Sequence, residues 1–293
     1  MRLVMLLAVL CCGRAAWAEG PCVTDAAQRE VCLPAPAQRI VALSPGAVEL
    51  IYGAGAGSHL VAAVAFSDFP PAANSLPSVG SSDRLDLEAL LALEPDLVVA
   101  WRSGNPREQV DRLIGLGIPV VYLEPRDFDS VARSLEQLGR LAGTAKQGAA
   151  AAESFRSGIA RLAARYQGAD PVSVFFEVWD QPLMTINDDH LIGKVIRLCG
   201  GRNAFGDLDR LVPRISVASV LEANPEVIVT GGKQAQSREL SEQWRQYPSL
   251  TAVRRDNLFV IPADLITRPT SRLLAGARDL CAHLETARKH RPD

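Results

Sequence analysis

The stretch Leu85-Asp-Leu-Glu-Ala-Leu-Leu-Ala-Leu-Glu-Pro-Asp-Leu-Val-Val-Ala100 is echoed, at a fixed offset of 130 residues, by Ile215-Ser-Val-Ala-Ser-Val-Leu-Glu-Ala-Asn-Pro-Glu-Val-Ile-Val-Thr230. Each copy carries an N-cap candidate (Asp86, Ser216), an apolar pattern of helical spacing, a proline that cannot continue the helix (Pro95, Pro225) and a short apolar run suited to a buried strand. A single helix-proline-strand pair could recur by chance in a chain of alternating elements. The constant offset and the matching surroundings point instead to two halves built alike.

Around this echo, short apolar runs ending in Pro, Gly or Asp alternate with helical patterns. The runs cover residues 39–43, 96–100 and 118–123, then 172–178, 226–230 and 257–262. Such alternation predicts α/β architecture with parallel strands, three in each half. Residues 129–167 between the groups are rich in Ala, Leu, Arg and Glu and are broken only near Gly143-Thr144. They read as a helix followed by a long helix; with Thr144 as its cap and an end at Tyr166, the second would be roughly 34 Å long, enough to bridge two lobes. The expected fold is therefore two Rossmann-like α/β lobes, residues 19–128 and 169–293, joined through a helical connector, 129–168, by a single long backbone helix.

Residues 1–18 carry Arg2, an apolar run from Leu3 to Cys12 and the small-residue ending Ala16-Trp17-Ala18, the pattern of a cleavable secretory signal. The run is shorter than the roughly 20 residues a membrane-spanning helix needs, so the mature chain is expected to be soluble and exported to the periplasm. A lipoprotein ranks second, because Leu10 stands where a small residue is wanted before a lipidated cysteine. Cleavage leaves Cys22, Cys32, Cys199 and Cys281. In an oxidising compartment these suggest two disulfides, with three pairings open. The short stretch between Cys22 and Cys32 favours a hairpin closed by that pair, leaving Cys199 for Cys281. The formal charge of −2, with acids and bases interspersed, offers no basic stripe for nucleic acid and no acidic tail.

Ligands of open parallel sheets bind beyond the carboxyl ends of the strands. Those ends carry Ser44-Pro45, Trp101-Arg102, Glu124-Pro125, Trp179-Asp180, Gly231-Gly232 and the segment Asp264-Leu-Ile-Thr-Arg-Pro-Thr-Ser-Arg272. A Trp past a strand is as often a core plug as a ligand platform, but its recurrence in both halves favours a shared cleft. Phe66 is a weaker candidate, since its loop could simply pack on the surface. Arg268 is assigned to ligand contact, with Asp264 to orient it or to accept from a ligand amide, and Arg272 to holding the lobe together. Catalytic signals are thin. His59, His190, His283 and His290 lack the spacing of a metal site or triad, Ser44 has no nearby base, and Gly53-Ala-Gly-Ala-Gly57 reads as a helix C-terminus rather than a dinucleotide loop. An enzyme is therefore not expected, nor a direct protein–metal site.

Arg39-Ile-Val-Ala-Leu-Ser-Pro-Gly-Ala-Val-Glu-Leu50, Phe66-Ser-Asp-Phe-Pro-Pro71, Glu94-Pro-Asp-Leu-Val-Val-Ala-Trp-Arg-Ser-Gly-Asn105, Leu116-Gly-Ile-Pro119 and Leu198-Cys-Gly-Gly201 resemble the periplasmic cobalamin-binding proteins of ABC importers over about residues 38 to 285. The resemblance implies two lobes joined by one long helix with a corrinoid clamped between them, carried as transported ligand rather than cofactor. It assigns the ring faces to Phe66 and Trp101 and polar contacts to Asp264 and Arg268, and it matches Cys199–Cys281 to the family disulfide. With their neighbours Asp83 and Arg102 in the first lobe, and Trp179 and Met184 in the second, these make up the candidate ligand site.

Three departures stand out. A tryptophan expected in the first lobe aligns with Ser82, and phenylalanines of the second are replaced around Val178 and Met184, with Trp179 as a substitute. Family members dock on the permease through one glutamate per lobe. Glu88 matches the first, but Ala218 occupies the second position, with Glu222 one helical turn on. The expected partners are cobalamin or another corrinoid and an ABC permease dimer with its ATPase, with the protein itself a monomer. The same-fold alternative, a ferric siderophore or haem receptor, would favour clustered arginines or a Tyr or His iron ligand.

Overall fold

The computed structural model describes residues 20–233 and 237–292; the proposed export signal lies outside them. Two four-stranded parallel sheets form the halves. The first holds β1 (Ile40–Ala42), β2 (Leu60–Ala63), β3 (Leu97–Trp101) and β4 (Val120–Leu123), the second β5 (Val172–Glu177), β6 (Gly201–Asn203), β7 (Val227–Gly232) and β8 (Leu258–Pro262). Their spatial orders are β2-β1-β3-β4 and β6-β5-β7-β8, one topology used twice. The echo thus has a counterpart in three dimensions. Two strands beyond the six read from the sequence, β2 and β6, lie at equivalent edges. The polar Gly201-Arg-Asn203 gives neither the bulk nor the β-branching by which a strand announces itself, whereas Leu60 and Val61 of β2 carry both and were passed over.

Helices α1 (Pro45–Gly53), α2 (Leu87–Ala92) and α3 (Arg107–Gly115) belong to the first lobe. Asp86 and Ser216 act as the N-caps expected, accepting from Ala89 N and Ser219 N. Both faces of the first sheet are covered. Ile40 and Ala42 join a core with α1, while Val41 and Val98 pack on the opposite face with Leu90, Val110 and Leu113 of α2 and α3. The near-continuous apolar strands follow from this double burial.

The connector is α4 (Phe128–Leu141) and α5 (Ala145–Tyr166). At 22 residues, α5 extends about 33 Å. The two helices cross closely because Gly139 faces Gly148; a Cβ on Gly148 would lie 2.5 Å from the carbonyl oxygen of Leu135. Thr144 does not cap α5 through its side chain as expected. Its hydroxyl donates to Ala54 O at 2.8 Å and ties the connector to the end of α1 instead.

The second lobe adds α6 (Leu191–Leu198), α7 (Val217–Ala223), α8 (Ser237–Arg245), α9 (Thr251–Arg254), α10 (Ala263–Ile266) and α11 (Leu273–Lys289). Both disulfides are formed, Cys22–Cys32 and Cys199–Cys281. The first closes a two-stranded hairpin, Cys22–Thr24 against Glu30–Cys32. It docks on edge strand β4 through Ala26 N to Tyr122 O (2.9 Å) and the Arg29 guanidinium to Val120 O (2.9 Å). An otherwise open sheet edge is thereby covered. Among the described residues no helix is long and apolar enough to cross a membrane.

Candidate functional site

The carboxyl ends of both sheets meet at one cleft. A cavity of about 140 Å³ at its floor is lined by Ser44, Pro45, Trp101 and Pro125 from the first lobe and by Thr267, Arg268 and Pro269 from the second. Trp101 closes β3 and is 41% exposed. Its position is built by the residues after it. The backbone N–H of Trp101 donates to Asn105 Oδ1 (2.6 Å), and Asn105 Nδ2 donates to Leu43 O and Ser82 O, both at 2.8 Å. One buried amide thus joins the ends of β1 and β3 to the loop of Ser82. Gly104 leaves room for the indole, since a Cβ there would fall 1.9 Å from Trp101 Cε3.

Phe66 follows β2 with a φ of 64°, unusual for a residue with a side chain, and its ring is 82% exposed. Trp179 is 60% exposed in a two-residue hairpin strand paired with Met184, where its indole N–H donates to Gln181 O at 2.7 Å. It lies just past β5, at the same edge of its sheet as the 262–269 segment that follows β8. The other tryptophan of the second lobe, Trp244, is fully buried against Phe175 and serves the core.

The polar candidates behave differently from one another. Asp83 is exposed and accepts from Ser81 Oγ at 2.6 Å, which with its own backbone holds its carboxyl below the usual range. Arg102 turns from the cleft floor: its guanidinium donates to Ala26 O of the hairpin (2.5 Å) and lines a separate polar groove of about 650 Å³ with Glu124, Arg126 and Arg133. Asp264 and Arg268 form an ion pair at 2.9 Å, one helical turn apart. Arg268 also reaches across the cleft to Glu49 and Asp68, each at 2.9 Å. Burial opposes the charge on Arg268, but its hydrogen bonds to Glu49 and Asp68 outweigh that and raise its pKa further. Asp68 shows the mirror effect: burial alone would raise its carboxyl, and Arg268 lowers it.

Arg272, read from the sequence as holding one lobe together, in fact joins the two, donating to Glu49 Oε1 at 3.0 Å. The sequence reading passed over Glu49, Asn105 and Thr270. Glu49 left a signal, as the one charged residue in the apolar helix α1, where a buried carboxylate needs partners. Glu88 and Glu222 are exposed on α2 and α7, Glu88 in the first turn and Glu222 in the last, so their positions on the two related helices are not equivalent. The four histidines lie elsewhere. His190 caps α6, His283 stacks on Phe259, His290 bonds at Asn257 and His59 ends a short helical turn before β2.

Comparison with known proteins identifies the class that this geometry defines. The chain belongs to the periplasmic binding protein family, whose sequence model matches residues 40–265. It is 38% identical over 253 residues to the vitamin B12-binding protein of Yersinia pestis, covering 86% of this chain and 88% of that one. It is 33% identical over 256 residues to the vitamin B12-binding protein of Vibrio cholerae, covering 87% and 92%. The crystal structure of the periplasmic vitamin B12-binding protein of Vibrio cholerae superposes with a TM-score of 0.81, at 33% identity, over 87% of this chain and 99% of that chain. A periplasmic haem-binding protein from Roseiflexus shares the fold alone, with a TM-score of 0.76 at 22% identity. These relatives are binding proteins and not enzymes, and so is this chain.

Proposed function

We propose that this protein captures cobalamin or a related corrinoid in the periplasm and delivers it to an ABC permease and its ATPase, performing no chemistry on it. The observation that carries this reading is the set of exposed aromatic rings at the strand ends, Phe66 and Trp101 from one lobe and Trp179 from the other. A corrin ring has broad apolar faces and a rim of amides, so aromatics take the faces while Asp264 and Arg268 serve the rim. The identity to vitamin B12-binding proteins supports the same substrate class. A haem receptor would want a His or Tyr iron ligand in the cleft, and neither is among the described residues that line its cavity.

Delivery requires docking, for which the exposed Glu88 and Glu222 are the proposed contacts with basic permease residues. The experiment is a titration of the mature protein with cyanocobalamin, following tryptophan emission, with haem and a ferric hydroxamate in parallel. Saturable one-to-one quenching by the corrinoid alone, weakened in Trp101→Ala, is the expected result. A response only to haem or to the hydroxamate would reassign the substrate.

A further inference from the structure

The carboxylate of Glu49, on α1 of the first lobe, is 2% exposed and accepts from three groups of the second lobe. Arg268 Nη1 and Arg272 Nη1 reach Oε1 at 2.9 and 3.0 Å, and Thr270 Oγ1 reaches Oε2 at 2.7 Å. The two arginines so fixed extend to the Phe66 loop. Arg268 Nη1 donates to Asp68 Oδ1 (2.9 Å) and Nη2 to the Phe66 carbonyl (3.4 Å), while the Arg272 guanidinium lies 3.8 Å from the centre of the Phe69 ring. Three points of residues 66–69 are therefore held by two side chains from the opposite lobe. The residue that these contacts surround, Phe66, has the left-handed backbone that a side chain disfavours and presents its ring to solvent.

We infer that Glu49 is a positioning residue for ligand binding: it anchors Arg268 and Arg272 as a strap between the lobes, and the strap holds the Phe66 loop with its ring aimed outward. In this arrangement Arg268 spends its Nη donors on Glu49, Asp68, Asp264 and the Phe66 carbonyl, so beside its place at the rim it acts on the ligand through Phe66. The flexible alternative, an unstrapped loop, would have to order itself on binding and would bind more weakly for that reason. The inference deepens the corrinoid reading in what the loop is for, but the strap itself does not depend on it.

The test has two arms. Hydrogen exchange of the ligand-free protein reads the strap directly: in Glu49→Gln, the amides that flank the loop, Ala65 donating to Gly80 O and Ala73 donating to Pro70 O, are expected to exchange at least tenfold faster than in wild type, while those of the Cys199–Cys281 region keep their protection. Should Glu49→Gln fail to fold, Phe69→Ala leaves the buried carboxylate intact, removes the ring under Arg272 and is expected to show the same local acceleration. Exchange within twofold of wild type in the folded variant overturns the strap. In the second arm, Glu49→Gln is expected to weaken cyanocobalamin binding about tenfold in the wild-type background and less than twofold in a Phe66→Ala background. An equal loss in both backgrounds would make Glu49 a general stabiliser and overturn its positioning role. Wild-type protein that ignores cyanocobalamin would sink the corrinoid reading alone, with the exchange arm still deciding the strap.

Discussion

The indole N–H of Trp244 donates to Glu177 Oε2 at 2.8 Å inside the second lobe, and Gln243 Nε2 donates to the same oxygen at 3.1 Å. Both donors are neutral. Burial therefore raises the Glu177 carboxyl to about 7, with Asp180 pushing the same way, against an ordinary value of 4.5. The folded state holds this proton more tightly than the unfolded chain does. The resulting stability is fully present below pH 4.5 and lost as pH rises to about 7, on the order of 3 kcal/mol in total. Glu177→Gln should match wild type near pH 4 and exceed it by roughly that amount at pH 8. Urea unfolding at the two pH values measures the difference, and an equal midpoint shift at both would rule the proton out as its cause.

His190 has the opposite slope. Its Nδ1 accepts from Ile192 N as the cap of α6, a role only the neutral ring can fill, and burial with nearby Lys194 lowers its pKa to about 4. Stability from this group is present above its unfolded value of 6.5 and is lost as pH falls towards 4, again on the order of 3 kcal/mol. His190→Asn keeps a capping oxygen and should flatten the acid limb. A ring proton of His190 that titrates near 6.5 in NMR would refute the assignment.

Trp101 should be the side chain whose loss is felt most in binding. Truncating a well-placed aromatic anchor costs about 2–4 kcal/mol, a weakening of roughly 30- to 1000-fold for Trp101→Ala. Gly104→Ala tests the support without touching the ring. The added methyl must displace the indole, so affinity for cyanocobalamin should drop at least several-fold while far-ultraviolet circular dichroism stays that of wild type. Unchanged affinity would show that the indole has another place to go.

The two disulfides should contribute unequally. By loop-closure entropy, Cys22–Cys32, with a sequence separation of 10, is worth about 3 kcal/mol, and Cys199–Cys281, with a separation of 82, about 4–5 kcal/mol. The second also sits in the main core, with both cysteines fully buried. The paired Cys-to-Ser variants should therefore fall in that order in thermal unfolding, with the hairpin variant nearer wild type.

What could be read from the sequence was local. Strands that end in Pro, Asp or Trp, helices opened by Asp86 and Ser216, and the duplication itself are written in consecutive residues. The exposed aromatics at the strand ends were legible for the same reason, since a strand end is a local event with a known consequence in a parallel sheet. Contacts between distant residues were not. Nothing near Glu49 reveals that its partners are Arg268, Thr270 and Arg272, more than two hundred positions away, and nothing near Arg102 reveals a carbonyl in the Cys22–Cys32 hairpin. Thr144 misled because a threonine at a helix start usually bonds within its own turn, and here a neighbouring helix end offered a carbonyl oxygen instead.

The apolar core does not stop at the lobe boundary. Ile40, Leu50 and Leu97 of the first lobe continue through Leu135, Leu138, Phe155 and Ile159 of the connector into Val174, Phe176 and Leu280 of the second. A swing of one lobe against the other would have to open this packed seam to water, at a cost that grows with every side chain uncovered. Such a molecule is expected to admit its cargo as a bracket does, at a rim whose 66–69 loop is already set in place, while the spine behind it stays closed.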